Sequence, residues 1–361
     1  MSELRACPGC CARSWLLARL ASHLEPVRSR IEPLLHLDEE ELIAAVGGDH
    51  RQTLCAELSR FDPETARERC EAARIESICA CDPGFPQQLA SLEGAPAVLY
   101  VAGGLERFLS SVAEYPVAVV GARRGSRYGL DVARSLARGL GAAGITVVSG
   151  MALGIDSAAH SGALDAGAPT VAVLPSGLDR PYPSSSRGLY RRILSGGVAV
   201  SELPPGAGVW RWMFPARNRI IAGLSAMTVL VEARPGSGSL ITVARARELG
   251  RPVGAVPGRV TSSLAAGPNG LIARGDAVVR GPKDVLDCLF GADVREAPAD
   301  RRAPLSPELS ALLEAISDGD DTTAALTGHG FDADEGLALL ASLELGGYVR
   351  REAGGRYSVL S

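Results

Sequence analysis

Three arginines stand inside one glycine-bearing stretch, Gly121-Ala122-Arg123-Arg124-Gly125-Ser126-Arg127-Tyr128-Gly129. The apolar run Val117–Val120 precedes it, and a helical pattern over Asp131–Leu140 follows it. A glycine loop between strand and helix lets backbone N–H groups approach an anion at the helix N-terminus. The spacing is not G-x-G-x-x-G, and no acidic residue closes a second strand at the ribose distance, so a dinucleotide fingerprint is poorly matched. Three guanidinium groups favour a longer polyanion, against the plainer reading of a tight turn that needs small residues.

Three more stretches share this logic. Ser149-Gly150-Met151-Ala152-Leu153-Gly154-Ile155-Asp156 runs from a strand into a helix bearing His160. No serine or cysteine nucleophile is legible beside His160, so it reads as a hydrogen-bonded structural residue, and Asp156 reads as a helix cap. Arg217-Asn218-Arg219 stands, on the pattern, just before an apolar helix and offers forked donors to phosphate oxygens, with Phe214 read as core. Ser237-Gly238-Ser239, after Glu232-Ala233-Arg234-Pro235-Gly236, presents hydroxyls and N–H groups as an anion nest or an ordinary helix start. Pro257-Gly258-Arg259 reads as a covering loop. The candidate polyanion contacts are thus Gly121, Arg123, Arg124, Arg127, Ser149, Gly150, Arg217, Asn218, Arg219, Ser237, Gly238 and Ser239. No catalytic residue and no cofactor are assigned.

These loops need a sheet to hold them. Short apolar runs at Val98–Val101, Val117–Val120, Ile145–Ser149, Thr170–Leu174, Val198–Val200, Ala226–Val231 and Pro252–Val256 alternate with helical patterns at Asp131–Leu140, Ala158–Ala166 and Leu240–Leu249. That alternation predicts an α/β fold: a doubly wound, Rossmann-like, mostly parallel sheet covered on both faces. Before it, Trp15, Leu16, Leu20 and Leu24 recur at helical spacing, as do Leu34, Leu37, Leu42 and Val46, with Asp38 and Glu41 placed as a capping box. After it, Glu296–Pro307 reads as a linker, and two helical patterns followed by Tyr348–Arg351 and Arg356–Leu360 suggest a winged helix. The expected organisation is an N-terminal helical domain over 1–78, the α/β core over 79–290, a linker over 291–304 and the winged-helix domain over 305–361.

Net charge sharpens the picture. The chain carries −4 in all, but residues 115–290 hold 20 basic and 10 acidic side chains. Residues 1–114 hold 11 against 18, and residues 305–361 hold 3 against 10. A basic middle between two acidic ends is the footprint of a polyanion-binding module. The acidic end should repel phosphate, so its winged helix is expected to meet protein and not duplex. No apolar run reaches the length of a membrane span, and Glu3, Arg5 and Cys7 interrupt any basic-then-apolar leader, so the chain reads as cytoplasmic.

Taken in order, several strings resemble the DNA-processing protein A (DprA/Smf) family. They are Val119-Val120-Gly121-Ala122-Arg123 with Tyr128-Gly129, then Ser149-Gly150-Met151-Ala152 through Asp156 and His160, Gly177-Leu178-Asp179 with Tyr182-Pro183, and Ser201-Glu202. Arg217-Asn218-Arg219-Ile220-Ile221-Ala222-Gly223-Leu224-Ser225, Ser237-Gly238-Ser239-Leu240-Ile241-Thr242 and Pro257-Gly258 complete the set. The resemblance implies a single-stranded-DNA-binding protein of natural transformation and recombination. Such a protein dimerises through its α/β domain, protects incoming strands and helps load the RecA recombinase in place of single-strand-binding protein. It implies Arg123, Arg217 and Arg219 as phosphate contacts, with Ser149-Gly150 and Ser237-Gly238 as backbone donors. After Tyr182-Pro183 the sequence departs from the family: Ser184-Ser185-Ser186 stands where a basic residue is common, with Arg187 next.

A competing class on the same sheet type is a nucleotide phosphoribohydrolase resembling the lysine-decarboxylase-like family. Its loop carries a catalytic glutamate, whereas Ser237-Gly238-Ser239-Leu240-Ile241-Thr242-Val243 has none before Glu248. The reading here is therefore a binding protein and not an enzyme. The eight cysteines pose a separate question. Cys7 and Cys10 form a C-x-x-C, Cys79 and Cys81 a C-x-C, and four thiolates from two such pairs suit tetrahedral zinc. The second pair is tighter than the usual knuckle, and Cys11, Cys55 and Cys70 compete, so no metal is assigned from spacing alone.

Overall fold

The structure is a computed structural model that describes residues 6–292, 305–323, 333–352 and 354–359. Among the described residues nine strands form one sheet: β1 (Glu76–Cys79), β2 (Val98–Ala102), β3 (Val117–Val120), β4 (Val147–Ser149), β5 (Thr170–Val173), β6 (Val198–Ser201), β7 (Met227–Leu230), β8 (Val253–Ala255) and β9 (Ala277–Val278). Their spatial order is β1-β2-β6-β5-β4-β3-β7-β8-β9. Within this sheet only the β1–β2 and β2–β6 pairings are antiparallel. The chain winds outward from β3 to β6 on one side, then returns to lay β7 against the other edge of β3, pairing Val117 with Met227 and Val120 with Leu230. The winding direction reverses between β3 and β7, which is where open α/β sheets open a crevice at their carboxyl ends.

Successive strand residues face opposite layers, so each central strand must be apolar on both sides. Val117 and Val119 pack with Ala133, Leu136 and Leu140 of the helix Arg127–Ala142 and with Ile155 and Ala159 of the helix Ile155–Asp165. Ala118 and Val120 face the other layer, against Ile220, Ile221 and Leu224 of the helix Met213–Leu224 and Val243 of the helix Ser239–Glu248. The doubly wound α/β expectation therefore holds. β1 and β9, at the two edges, are additions to it, as are the helices Leu105–Val112 and Arg187–Gly196.

Six α-helices precede the sheet among the described residues, from Pro8–Arg19 to Pro63–Ala72. Asp38 caps Glu39–Val46 reciprocally with Glu41: Glu41 N–H donates to Asp38 Oδ1 at 2.8 Å and Asp38 N–H to Glu41 Oε2 at 3.2 Å. The helical layer shares one core with the α/β region, where Leu16, Leu20, Leu24, Leu42 and Leu54 surround Trp212, Met213 and Ala216. Trp212 is wholly buried, and its Nε1–H donates to the Ala21 carbonyl at 3.0 Å. Residues Met1–Ala297 accordingly make one compact unit and Pro298–Ser361 a second.

The second unit contains the helices Pro307–Asp318 and Ala333–Leu345 and the hairpin β10 (Val349–Arg351) with β11 (Tyr357–Val359). Ser306 caps the first helix on Leu309 N–H, and Gly319 ends it in the left-handed conformation at φ 115°. Leu312, Ile316, Leu340, Leu343, Val349 and Tyr357 form its core. Two helices followed by a hairpin is the element order expected of a winged helix. The expected linker falls almost entirely outside the described residues, which stop at 292 and resume at 305. No helix among the described residues is long and apolar enough to cross a membrane.

Candidate nucleic-acid interface

A cleft of about 570 Å³ opens at the switch point between β3 and β7. Gly121, Ala122, Arg123 and Arg124 line it from the loop after β3, and Arg234 through Ser239 from the loop after β7. Phe214, Arg217, Asn218 and Ile221 line it from the helix Met213–Leu224. Of the twelve sequence candidates, eight meet here: Gly121, Arg123, Arg124, Arg217, Asn218, Ser237, Gly238 and Ser239.

The loop after β3 is held from behind by Glu232, which is buried although acidic. Its carboxylate accepts from Ser126 N–H at 2.7 Å and from the Ser126 hydroxyl at 2.6 Å, while its carbonyl accepts from Ala122 N–H at 2.7 Å. A Cβ on Gly129 would collide with Glu232 Oε2, so glycine is required where that carboxylate passes the helix start. Ser126 Oγ in turn caps the helix Arg127–Ala142 by accepting from Gly129 N–H at 3.1 Å. One buried carboxylate thereby fixes the turn that projects Arg123 and Arg124 outward.

Arg123 and Arg124 are exposed, and the Arg123 guanidinium sits 4.5 Å from the centre of the Phe214 ring. A cation over an aromatic face is worth about 0.5–1 kcal/mol at an exposed site, which biases the rotamers of the side chain without locking it. Tyr182 meets the same ring edge-on at 5.6 Å and is itself 40% exposed. On the opposite wall the helix Ser239–Glu248 begins at Gly238 with no side-chain cap, so its N-terminal dipole faces the cleft. Asn218 Nδ2 donates to Gly238 O at 3.1 Å and anchors that wall, and the Ser237 and Ser239 hydroxyls lie 2.9 Å apart.

Arg217 forms the floor. It is buried, and its Nη1 donates to Gly150 O at 2.7 Å and to Val173 O at 2.5 Å. Burial pushes its guanidinium down to about 10, Asp156 works against that shift, and Arg123 adds to it. It stays cationic at neutral pH. Asp156, also buried, is pushed above the ordinary carboxylate range by burial, with Arg217 opposing the shift. Much of the floor's charge is therefore spent inside the protein, and the outward charge belongs to Arg123, Arg124 and Arg234.

Four candidates lie elsewhere. Arg219 is not in the cleft: it donates Nη1 and Nη2 to Glu202 at 3.0 and 2.7 Å and Nε to Gly94 O at 2.9 Å, with both side chains under a tenth exposed. The reason is that the helix starts at Met213, so Arg217-Asn218-Arg219 is inside it and not before it. Residues two apart on a helix point to nearly opposite sides. Ser149 ends β4 and is fully buried, its hydroxyl donating to Val119 O at 2.7 Å. Gly150 lines a small adjoining cavity, where its missing Cβ makes room for Arg217: a Cβ would overlap Nη1. Arg127 opens the helix Arg127–Ala142, outside the cleft lining and 3.8 Å from Asp131.

Two further residues behave differently from their expected roles or confirm them. His160 is fully buried, with Nδ1 2.7 Å from Thr170 Oγ1. Because that hydroxyl spends its proton on Val147 O at 2.7 Å, the imidazole must be the donor, which fixes its tautomer. Burial pushes His160 down to about 3, so it is neutral and structural. Asp156 does not cap its helix. Gly154 holds the N-cap position at φ 85°, and the Asp156 carboxylate accepts instead from Gly150 N–H at 3.2 Å. Between them Met151 takes a left-handed φ of 53°, costly for a side chain and characteristic of a loop held for function. Glu232, Arg234 and Tyr182 carry no sequence signal strong enough to mark them as site residues. The available signal was an acid entering a Gly/Ser turn opposite a glycine-bearing helix start.

A family model described as DNA recombination-mediator protein A matches residues 76–290. A Mycobacterium tuberculosis relative bearing the DNA processing protein DprA description is 40% identical over 250 residues, which is 69% of this chain and 62% of the relative. The match thus spans under two thirds of that relative's length. The X-ray structure of DNA processing protein A from Streptococcus pneumoniae superposes with a TM-score of 0.62 at 31% identity, covering 79% of this chain and 98% of that one. DNA processing protein A from Helicobacter pylori, whose structure is described in terms of its single-stranded DNA binding mode, gives 0.54 at 26% identity over 60% of this chain and 96% of that one. With the sheet, the switch-point cleft and the family match over the whole α/β region in agreement, the chain belongs to the DNA recombination-mediator protein A family.

Proposed function

We propose that the protein binds single-stranded DNA in the switch-point cleft and serves DNA processing in transformation and recombination as a binding protein without chemistry of its own. The observation that carries this is the convergence of Arg123, Arg124 and Arg234 with an uncapped helix start on one crevice. Guanidiniums and N–H groups grip phosphate without reading sequence, and the exposed Tyr182 ring at the adjoining cavity offers a stacking surface to a base. The cleft volume, about 570 Å³, falls in the range of a pocket for one small ligand, so it seats one or two nucleotide units while the strand continues over the surface. The Helicobacter pylori relative's described binding mode supports the same ligand. Protection of incoming strands, dimerisation through the α/β unit, displacement of single-strand-binding protein and loading of RecA belong to this proposal as its cellular setting. The acidic C-terminal unit is assigned to protein contact.

Titrating labelled poly-dT against wild type and Arg123→Ala/Arg234→Ala at several salt concentrations tests it. Removing each arginine–phosphate pairing should flatten the log K against log salt slope by about 0.7. An unchanged slope with unchanged affinity overturns the assignment of the cleft. Among the described residues, the only acidic one lining it is Asp156, which is buried and committed to Gly150 N–H. Release of free base from a nucleoside monophosphate by the pure protein would replace the binding reading with hydrolysis.

A further inference from the structure

The Sγ atoms of Cys7, Cys10, Cys79 and Cys81 all lie within 4.8 Å of one another. We propose that they form a structural zinc site that clips the helix Pro8–Arg19 to the edge strand β1 of the sheet. A tetrahedral centre with Zn–S bonds of ~2.3 Å places its sulfurs about 3.8 Å apart. Cys10 Sγ and Cys81 Sγ are 3.7 Å apart, too far for a disulfide and close to that tetrahedral edge.

The backbone explains why two pairs of such different spacing converge. Cys7 is the N-cap of the helix Pro8–Arg19, and Cys10 lies in its first turn, so C-x-x-C brings both sulfurs to one helix end. Cys79 ends β1, and Asp82 N–H donates to Cys79 O at 2.9 Å, closing a turn that carries Cys81. On an extended strand, residues two apart share a face, and the turn folds the second toward the first. The C-x-C spacing that is too tight for a knuckle therefore suits a strand running into a turn. Cys7 N–H already donates to Cys79 Sγ at 3.3 Å, which ties the start of the helix to the end of β1 at this corner.

The competing cysteines fall away on placement. Among the described residues the convergence takes in Cys7, Cys10, Cys79 and Cys81, and Cys11, Cys55, Cys70 and Cys288 are outside it. Four sulfur donors in tetrahedral array select zinc over the harder divalent cations. On binding, Zn²⁺ replaces the four thiol protons, which pass to solvent. The two pairs are far apart in sequence, Cys10 and Cys81 being separated by 71 positions, so the metal would close a long loop at the seam between helical layer and sheet.

The full chain, purified without chelator and without a histidine tag, should carry one zinc per molecule by elemental mass spectrometry. Cys10→Ser/Cys81→Ser should lose it, and Cys55→Ser/Cys288→Ser should retain it. Should the first variant not fold, wild type exchanged into Co²⁺ decides alone, because tetrahedral thiolate coordination gives strong charge-transfer and d–d bands. Metal-free wild type that also refuses Co²⁺, iron in place of zinc, or a native disulfide within the quartet would each overturn the proposal.

Discussion

Arg217 and Arg219 sit two residues apart on one helix and do opposite work. Toward the cleft, Arg217 supports a crevice whose outer arginines are free to meet a polyanion. Toward the helical layer, Arg219 is clamped by Glu202 and by Gly94 O, in a place where solvent scarcely reaches. On the proposed reading, identical side chains thus support a binding crevice or hold two layers together, according to which face of Met213–Leu224 carries them. A count of arginines cannot separate these jobs; the accompanying carboxylates can. Glu202 neutralises its arginine outright, Asp156 only offsets a buried one, and no acid among the described cleft-lining residues faces Arg123, Arg124 or Arg234.

The largest effect should come from breaking the Arg219–Glu202 pair. Arg219→Ala leaves Glu202 buried and unpaired, and removing one partner of such a pair costs about 3–5 kcal/mol. Urea denaturation should register that loss, while the fraction that stays folded keeps the wild-type salt slope for poly-dT. If Arg219→Ala flattened that slope as Arg123→Ala does, the division of labour along the helix would be wrong. Replacing both partners, as in Glu202→Leu/Arg219→Met, should recover most of the stability, since an apolar pair leaves no orphaned charge.

Next in size is Gly150→Ala. Its Cβ would collide with the Arg217 guanidinium and force the floor of the cleft to move. Overpacking of this kind costs about 1–3 kcal/mol. Unlike Arg219→Ala, it should weaken strand binding as well, because the shifted arginine also lies beside Arg123. A crystal structure of the variant with Arg217 unmoved would remove the reason for a glycine there.

These two sites also show what could be read from the sequence. The sheet was legible because Val117–Val120 and Ala226–Val231 are apolar on both faces, a pattern that only a covered parallel strand requires. The glycine loops were legible because each follows such a run. The helix under Arg217 was not, since Pro215 looks like a break when it in fact occupies the first turn, where no backbone bond is lost. Reading Arg217-Asn218-Arg219 as loop then put both arginines on one side. β1 was hidden for a different reason: Glu76-Ser77-Ile78-Cys79 is short, lies at the sheet edge, and follows helices without a break in texture. Its position is also what makes the second cysteine pair intelligible.

A pH effect under the cleft floor should be smaller and graded. His160 titrates near 3 in the folded protein and near its ordinary 6.5 when unfolded, so the unfolded chain takes up the proton first. Its contribution is whole above about pH 6.5 and is lost as pH falls toward 3, at up to about 1.4 kcal/mol per unit. Denaturation midpoints measured between pH 6 and pH 5, above most carboxylate titration, should fall less steeply in His160→Leu than in wild type. Parallel slopes in the two proteins would mean that the imidazole is protonated in the fold, and the neutral donor to Thr170 would have to be abandoned.

The smallest expected effect marks the border of the interface. Arg127 shares a loop with Arg123 in sequence, but it begins a helix outside the cleft and stands 3.8 Å from Asp131 one turn along. A half-exposed pair at this distance contributes under about 1 kcal/mol, so Arg127→Ala should leave stability within about 0.5 kcal/mol of wild type. Its poly-dT salt slope should match wild type, while Arg123→Ala, in the same stretch but on the crevice wall, flattens it. Equal flattening in both would mean that the strand leaves the cleft across the start of Arg127–Ala142. The boundary between binding and cohesion would then run along the loop after β3 and not along the helix Met213–Leu224.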